Sequence, residues 1–142
     1  MILPGLFQLP VTDVDLRRLS PGALAYLGDA VYELYVRSYY LWPPGRAQRY
    51  HHQVVAQVNA TAQANHLQTL ESHLTPQERD ILRRGRNAAP RRKGQGDPQK
   101  YQQATGFETL IGYLYLANPP RLQQVLNYLV LPPPEEASPP HC

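Results

Sequence analysis

Four points in the chain carry the same helix-start signal, a short polar residue followed directly by proline. They are Ser20-Pro21, Thr75-Pro76, Asp97-Pro98 and Asn118-Pro119. The polar side chain accepts a hydrogen bond from a free backbone N–H group of the first turn, and proline suits the first helical position because it has no N–H to leave unpaired. Thr75 is also followed by Glu78, which gives the form of a capping box. These signals predict a chain built from helices.

Between the signals, apolar residues recur with helical spacing, and strand-like alternation is missing. Leu24, Leu27, Val31 and Leu34 form one such repeat, and similar repeats follow from Val54, Phe107 and Leu122. We predict an all-α fold with five helices over about 21–41, 46–71, 76–87, 98–117 and 119–131. An N-terminal segment (1–18) precedes one helical domain (19–131), and a tail (132–142) with five prolines is expected to be disordered.

Several classes of protein are excluded by composition. The single cysteine is residue 142, so neither an internal disulfide nor a zinc site built from thiolates is expected. The first residues lack the basic start and long apolar stretch of a secretory signal, and no apolar run approaches membrane-spanning length. A cytoplasmic protein is therefore expected.

The positive charge of the chain is concentrated in one stretch. Residues 79–100 hold eight basic and two acidic side chains, whereas the whole chain has a formal charge of only +3. Such a block favours a polyanionic partner, most commonly nucleic acid, although a solvated basic face is the alternative.

Two carboxylates interrupt apolar helical segments far apart in the chain. Asp29 follows Gly28 in the first predicted helix, and Glu108 lies one turn before Gly112 in the fourth. Because glycine lets two helix backbones approach closely, we expect these helices to pack together with their carboxylates converging. Two converging carboxylates with few nitrogen or sulfur ligands near them suit Mg²⁺ or Mn²⁺. The structural alternative is that both pair with arginines or tyrosine hydroxyls to order the core.

The segments around these carboxylates resemble the two acidic motifs of the ribonuclease III family. The segment 26–31, YLGDAV, is similar to the signature helix of the family, and 105–116, TGFETLIGYLYL, is similar to its second motif, in the same order and at a compatible separation. The segment 84–88, RGRNA, and the lack of an appended domain narrow the resemblance to the Mini-ribonuclease III branch, over about 19–130.

The resemblance implies a helical, homodimeric endonuclease domain that cleaves double-stranded RNA and leaves 5′-phosphate and 3′-hydroxyl ends. It implies that Asp29 and Glu108 are the catalytic, metal-binding residues and that Mg²⁺ is the cofactor, with Mn²⁺ as a substitute. The implied substrate is the 23S ribosomal RNA precursor, with a large-subunit ribosomal protein as a further candidate partner. Other family acids are replaced here by Gly22, Ala25 and Thr105, as in the Mini-ribonuclease III branch, which leaves the number of metal ions open.

RNA contacts are expected from the basic block. Phosphates are most often bound by arginine and lysine, and an amide can bond a 2′-hydroxyl group. The candidate RNA-binding residues are Arg83, Arg84, Arg86, Asn87, Arg91, Arg92 and Lys93. For Asn87 the alternative is a helix cap, and for Glu33 a surface position competes with a role beside the metal. The competing functions for the whole chain are a non-catalytic RNA-binding module of the same fold and a helical protein-interaction domain.

Overall fold

The computed structural model describes residues 13–90 and 96–135. Its seven α-helices are α1 (Asp13–Arg18), α2 (Pro21–Tyr39), α3 (Ala47–Val58), α4 (Ala60–Leu70), α5 (Pro76–Ala88), α6 (Pro98–Ala117) and α7 (Pro119–Asn127), with a 3₁₀ turn at Glu71–His73. No strand occurs in these two ranges, so the all-α prediction is confirmed. No helix within them is long and apolar enough to cross a membrane.

All four predicted caps are present, and each begins the helix that its sequence signal indicated. Ser20 Oγ accepts from Ala23 N at 3.1 Å, opening α2. At α5, Thr75 Oγ1 accepts from Glu78 N at 3.1 Å while the Glu78 carboxylate accepts from Thr75 N at 2.9 Å, which completes the capping box. The side chains of Asp97 and Asn118 cap α6 and α7 in the same manner.

The prediction of one continuous helix over 46–71 is wrong, because the chain breaks at Asn59. Its backbone is extended there, with ψ at 163°. Its side chain accepts from Ala62 N at 2.9 Å to cap α4 and donates to the carbonyls of Val55 and Ala56 at the end of α3. One asparagine thus supplies hydrogen bonds to the free backbone groups at the end of α3 and at the start of α4. The apolar spacing of this region continues across the break and so gave no sign of it.

The core forms around α6, which packs against α2, α4 and α5. Phe107, Leu110 and Ile111 on α6 are fully buried. Tyr32 of α2 lies edge-on to Phe107, with ring centroids 5.1 Å apart, and its hydroxyl donates to the carbonyl of Gln57 at 2.9 Å. This contact joins α2, α3 and α6 at one point of the core.

The chain beyond α7 stays attached to the core for several residues. The last helix ends at Asn127 rather than at the predicted residue 131, yet Leu129 and Leu131 remain buried. The hydroxyl of Tyr40 then donates to the carbonyl of Pro132 at 2.8 Å. The tail expected to be disordered therefore begins with an anchored residue, and its positions 136–142 lie outside the described residues.

Candidate active site

The candidate site is organised by a direct backbone contact between α2 and α6. A Cβ atom added to Gly28 would overlap the carbonyl oxygen of Glu108 and lie 2.8 Å from the amide nitrogen of Gly112. A Cβ atom added to Gly112 would in turn overlap the carbonyl oxygen of Leu24. The expected close approach of these helices at Gly28 and Gly112 is confirmed. Asp29 and Glu108 lie beside this crossing, one on each helix.

Asp29 is exposed, although it lies within an apolar stretch of the sequence. The face that α2 turns inward comprises Leu24, Ala25, Gly28, Val31, Tyr32 and Val36, and Asp29 is rotated by about 100° from Gly28. Partial burial and the nearby charge of Glu33 raise the pKa of Asp29 above its ordinary value. Glu33 itself pairs with Arg37, one helical turn further along α2, at 3.2 Å. The repulsion between Asp29 and Glu33 is therefore partly offset by the positive charge of Arg37.

Glu108 is half-buried and carries the most perturbed carboxyl group of the site. Burial raises its pKa to about 8, the negative charge of Asp29 adds to that rise, and a hydrogen bond from Gln63 opposes it. The charge of Asp29 on α2 therefore affects the ionisation of Glu108 on α6. Two carboxylates arranged in this way disfavour a second negative charge unless a cation joins them.

The alternative of a structural pairing finds no support in the part of the chain that the structure describes. Within 13–90 and 96–135, neither Asp29 nor Glu108 forms an ion pair with an arginine or accepts from a tyrosine hydroxyl. The buried ion pair of these ranges lies elsewhere, between Glu78 and Arg121 at 2.8 Å. Its hydrogen bonds lower the pKa of Glu78, and it connects α5 to α7 rather than contributing to the site.

Gln63 was missed by the sequence analysis, although it is buried on α4, which packs against α6. Its side chain is 1% exposed, its amide nitrogen donates to the carbonyl of Val58 at 3.2 Å, and its amide opposes the rise in the pKa of Glu108. The amide oxygen has no hydrogen-bond partner among the described residues. The available signal was its spacing, since Gln63 shares one helical face with Leu67 and Leu70 and so belongs to the buried side of α4.

These donors fit a hard divalent cation with few protein ligands. The described residues contain no group of three histidine, cysteine or acidic side chains that could hold a metal, so a cage built wholly from such side chains is excluded there. Mg²⁺ retains several waters and is commonly bound through one or two carboxylates plus substrate phosphates. Asp29 and Glu108 match that requirement by the chemistry of their donor atoms.

Three of the candidate RNA-binding arginines lie on the C-terminal half of α5. Arg83 and Arg84 are exposed and both pair with Asp80. Arg86 is half-buried, and a Cβ atom added to Gly106 of α6 would lie 2.6 Å from its Cγ atom. The stem of Arg86 therefore packs against α6 at Gly106, two residues before Glu108 in the sequence.

Asn87 is exposed within α5. The cap of that helix is Ala89, so the alternative role of Asn87 as the helix cap is wrong, and an RNA contact stays a prediction. The other candidates, Arg91, Arg92 and Lys93, lie outside the described residues.

The comparisons with known proteins agree with this fold. The model of the ribonuclease III domain matches residues 22–119. Relatives named Mini-ribonuclease 3 include one from Synechocystis, 53% identical over 87% of this chain and 86% of its own, and one from Clostridium tetani, 37% identical over 84% of this chain and 82% of its own. A crystal structure of a Fusobacterium nucleatum protein superposes with a TM-score of 0.70 at 31% identity, covering 80% of this chain and 93% of that one.

The chain forms a helical domain in which the helices that carry the two acidic motifs meet at Gly28 and Gly112. The family model matches most of its length, so the chain belongs to the nucleases of the ribonuclease III family. Within the family it belongs to the Mini-ribonuclease III branch, as the relatives at about half identity over most of both chains establish.

Proposed function

We propose that residues 19–131 form an Mg²⁺-dependent endoribonuclease domain that cleaves double-stranded RNA and leaves 5′-phosphate and 3′-hydroxyl ends. The proposed biological substrate is the 23S ribosomal RNA precursor in the cytoplasm, with a large-subunit ribosomal protein as an additional partner. The observation that carries the proposal is the placement of Asp29 and Glu108 beside the contact of Gly28 with Gly112, where the charge of one carboxylate perturbs the other.

The reaction class follows from what these residues can hold. Asp29 and Glu108 would bind the cation, and a bound Mg²⁺ supplies Lewis-acid stabilisation of the phosphate oxygens and a more acidic water as nucleophile. The half-buried position of Glu108 limits its contact with bulk water. The arginines of α5 neutralise phosphates on either side of the scissile bond and hold the duplex in register. This division of roles requires no histidine or lysine as general base.

The outer face of α2 supports the proposal of a homodimer. Tyr26 is 85% exposed and Leu34 is 50% exposed, and Ala30 lies between them on the same face. Clustered exposed apolar side chains are typical of protein–protein contacts. Because Asp29 lies on this face as well, a second copy there would bring two sites together and double the RNA footprint. A sedimentation measurement that finds only monomer at micromolar concentration would contradict this part of the proposal.

The function is tested by incubating the purified chain with a radiolabelled RNA duplex and with each of its single strands. We expect cleavage of the duplex alone, only with Mg²⁺ present, and blocked by excess EDTA. Mapping the product ends checks the chemistry, since products with 5′-hydroxyl ends would contradict it. Binding of the duplex without cleavage would instead favour the non-catalytic RNA-binding module.

The basic block is expected to set the salt dependence of RNA binding. Each lost phosphate contact reduces the slope of log K against log salt by about 0.9 in duplex DNA. Replacing Arg91, Arg92 and Lys93 together by glutamine should therefore weaken duplex binding and flatten this slope by roughly 2–3. Fluorescence anisotropy across 50–300 mM salt provides the measurement.

The matched control for this change is Arg46→Gln, which removes one exposed positive charge outside the block. It should leave the slope within experimental error of the unmodified chain. An unchanged slope in the triple variant would show that the residues do not contact phosphate.

A further inference from the structure

A groove with aromatic and proline walls, here called the connection groove, lies between the α2–α3 connection and the first turns of α3. Its lining includes Tyr40, Leu41, Pro43, Pro44, Arg49 and Tyr50. Trp42, which lies between two of these lining residues in the sequence, is 75% exposed. Aromatic-lined grooves are typical binding sites of proline-rich segments, which are already extended as polyproline II and so lose little conformational entropy on binding. The lining therefore favours a proline-rich occupant.

The proline-rich end of the described chain is held at one wall of this groove. The hydroxyl of Tyr40 donates to the carbonyl of Pro132 at 2.8 Å, and the hydroxyl of Tyr39 donates to the carbonyl of Leu131 at 3.5 Å. Two neighbouring tyrosines thus bind two neighbouring carbonyls of a segment that has no internal hydrogen bonds to offer them instead. Pro134 is still half-buried, so the chain stays against the protein as far as the last proline of this run.

The charges of the groove and of the chain that follows these prolines are opposite. From 34 to 70 the sequence holds three arginines and no acidic residue, and one of the three, Arg49, lines the groove. From 122 to 142 it holds no lysine or arginine, and Glu135 and Glu136 come directly after the anchored prolines. Complementary charges of this kind favour one orientation of a bound segment over others.

The length of the chain allows a second pair of prolines to reach the groove. Pro139 and Pro140 follow the anchored Pro132 by seven and eight residues. A polyproline II segment rises about 3.1 Å per residue, so eight residues extend up to about 25 Å from the anchor. Because Tyr40 both binds Pro132 and lines the groove, this length lets both prolines enter the groove while the anchor stays in place.

We propose that the connection groove is the docking site of the chain's own segment 135–140. The two prolines of that segment pack against the aromatic wall and Trp42, and its two carboxylates lie beside Arg49. Docking covers an apolar surface at the end of α2 and closes the groove to other proline-rich chains. The inference is independent of the proposed nuclease function, because it uses no residue of the candidate active site.

The fluorescence of Trp42 reports on docking, since Trp42 is the one tryptophan of the chain. The full chain is compared with a chain that stops after Pro134 and so keeps the anchored residues. We expect the truncation to shift the emission of Trp42 to longer wavelength and to increase its quenching by acrylamide. A synthetic peptide of residues 135–142, added to the truncated chain, should reverse both changes. Identical emission and quenching in the full and truncated chains would overturn the proposal.

Matched substitutions in the full chain test the two parts of the docked segment. Replacing Pro139 and Pro140 together by serine keeps length and charge, and the variant should show the emission of the truncated chain. His141→Ser changes a residue just outside the segment and should leave the emission unchanged. Replacing Glu135 and Glu136 together by glutamine should weaken docking and make it insensitive to salt, because the screened attraction to Arg49 is lost. Full-chain emission in the double proline variant would contradict docking through these prolines.

Dilution distinguishes the chain's own segment from that of a second copy. A segment tethered to the groove docks within its own chain, so the emission of Trp42 should not depend on protein concentration. A segment supplied by a second copy would leave the groove on dilution, and the emission would move to that of the truncated chain. That result would assign the groove to a second copy and overturn docking within the chain.

Discussion

Replacing either Asp29 by asparagine or Glu108 by glutamine is expected to lower the rate of RNA cleavage by on the order of 10³-fold. Lewis-acid stabilisation by a bound metal contributes several kcal/mol to the transition state, and about 4 kcal/mol corresponds to that factor. Single-turnover cleavage of duplex RNA at saturating enzyme measures the effect, which should appear in the chemical step. Binding of the duplex in Ca²⁺ or EDTA should change little, because these variants keep every positive charge of the basic block, including the arginines of α5.

The matched control for this prediction is Glu33→Gln. Glu33 lies one helical turn from Asp29 and carries the same charge, but it pairs with Arg37. We expect its loss to alter the rate by only a few-fold. A variant of Asp29 or Glu108 that retains wild-type cleavage would refute the assignment of the metal ligands.

Glu108 also predicts how pH and metal affect stability. Its pKa rises from the ordinary value of 4.5 to about 8 in the folded chain, so the folded state holds a proton that the unfolded state has released. The metal-free chain should therefore lose stability as pH rises from about 4.5 to about 8. Urea unfolding at several pH values measures this loss, and Glu108→Gln should remove it. Mg²⁺ should stabilise the unmodified chain at pH 8 but leave the Glu108→Gln variant unaffected.

Local chemistry explains why the helix starts were predictable from the sequence. A cap such as Ser20-Pro21 acts within one turn of itself, so its consequence can be inferred without knowledge of the tertiary fold. Asn59 is equally local, but it has no proline after it and lies within a run of apolar spacing that a continuous helix would also produce. Leu129 and Leu131 were predicted to be helical for a similar reason. Their apolar spacing reflects burial in the core, which they reach without a helical backbone.

The contact between the two helices that carry Asp29 and Glu108 was predictable from the sequence, but the exposure of the residues around them was not. Glycines beside Asp29 and Glu108 predicted where two helices touch, because only glycine permits that approach. The apolar run around Asp29 does not reveal which residues face outward, since Asp29 is exposed and Tyr26 in the same run is 85% exposed. The burial of Gln63 escaped notice because it lies on a third helix whose start was not recognised.

The glycine crossing itself should be the most sensitive point of the fold. In Gly28→Ala the new methyl group would overlap the carbonyl oxygen of Glu108. Backbone atoms cannot swing aside as a side chain does, so α2 and α6 must move apart along their contact. Overpacking commonly costs about 1–3 kcal/mol and sometimes more, and we expect the loss in unfolding free energy to reach or exceed about 3 kcal/mol here. Chemical denaturation monitored by circular dichroism gives the value.

Gly22→Ala is the matched control on the same helix, because nothing lies within 4 Å of a Cβ atom at that position. It should be neutral or stabilising by up to about 1 kcal/mol, as alanine favours a helix over glycine. Mn²⁺ binding by the folded fraction of Gly28→Ala distinguishes an effect on the metal site from an effect on stability. If the crossing also sets the distance between Asp29 and Glu108, that fraction should bind Mn²⁺ more weakly than the Gly22→Ala variant does. Equal Mn²⁺ affinity in the two variants would mean that the site tolerates displacement of the helices that carry it.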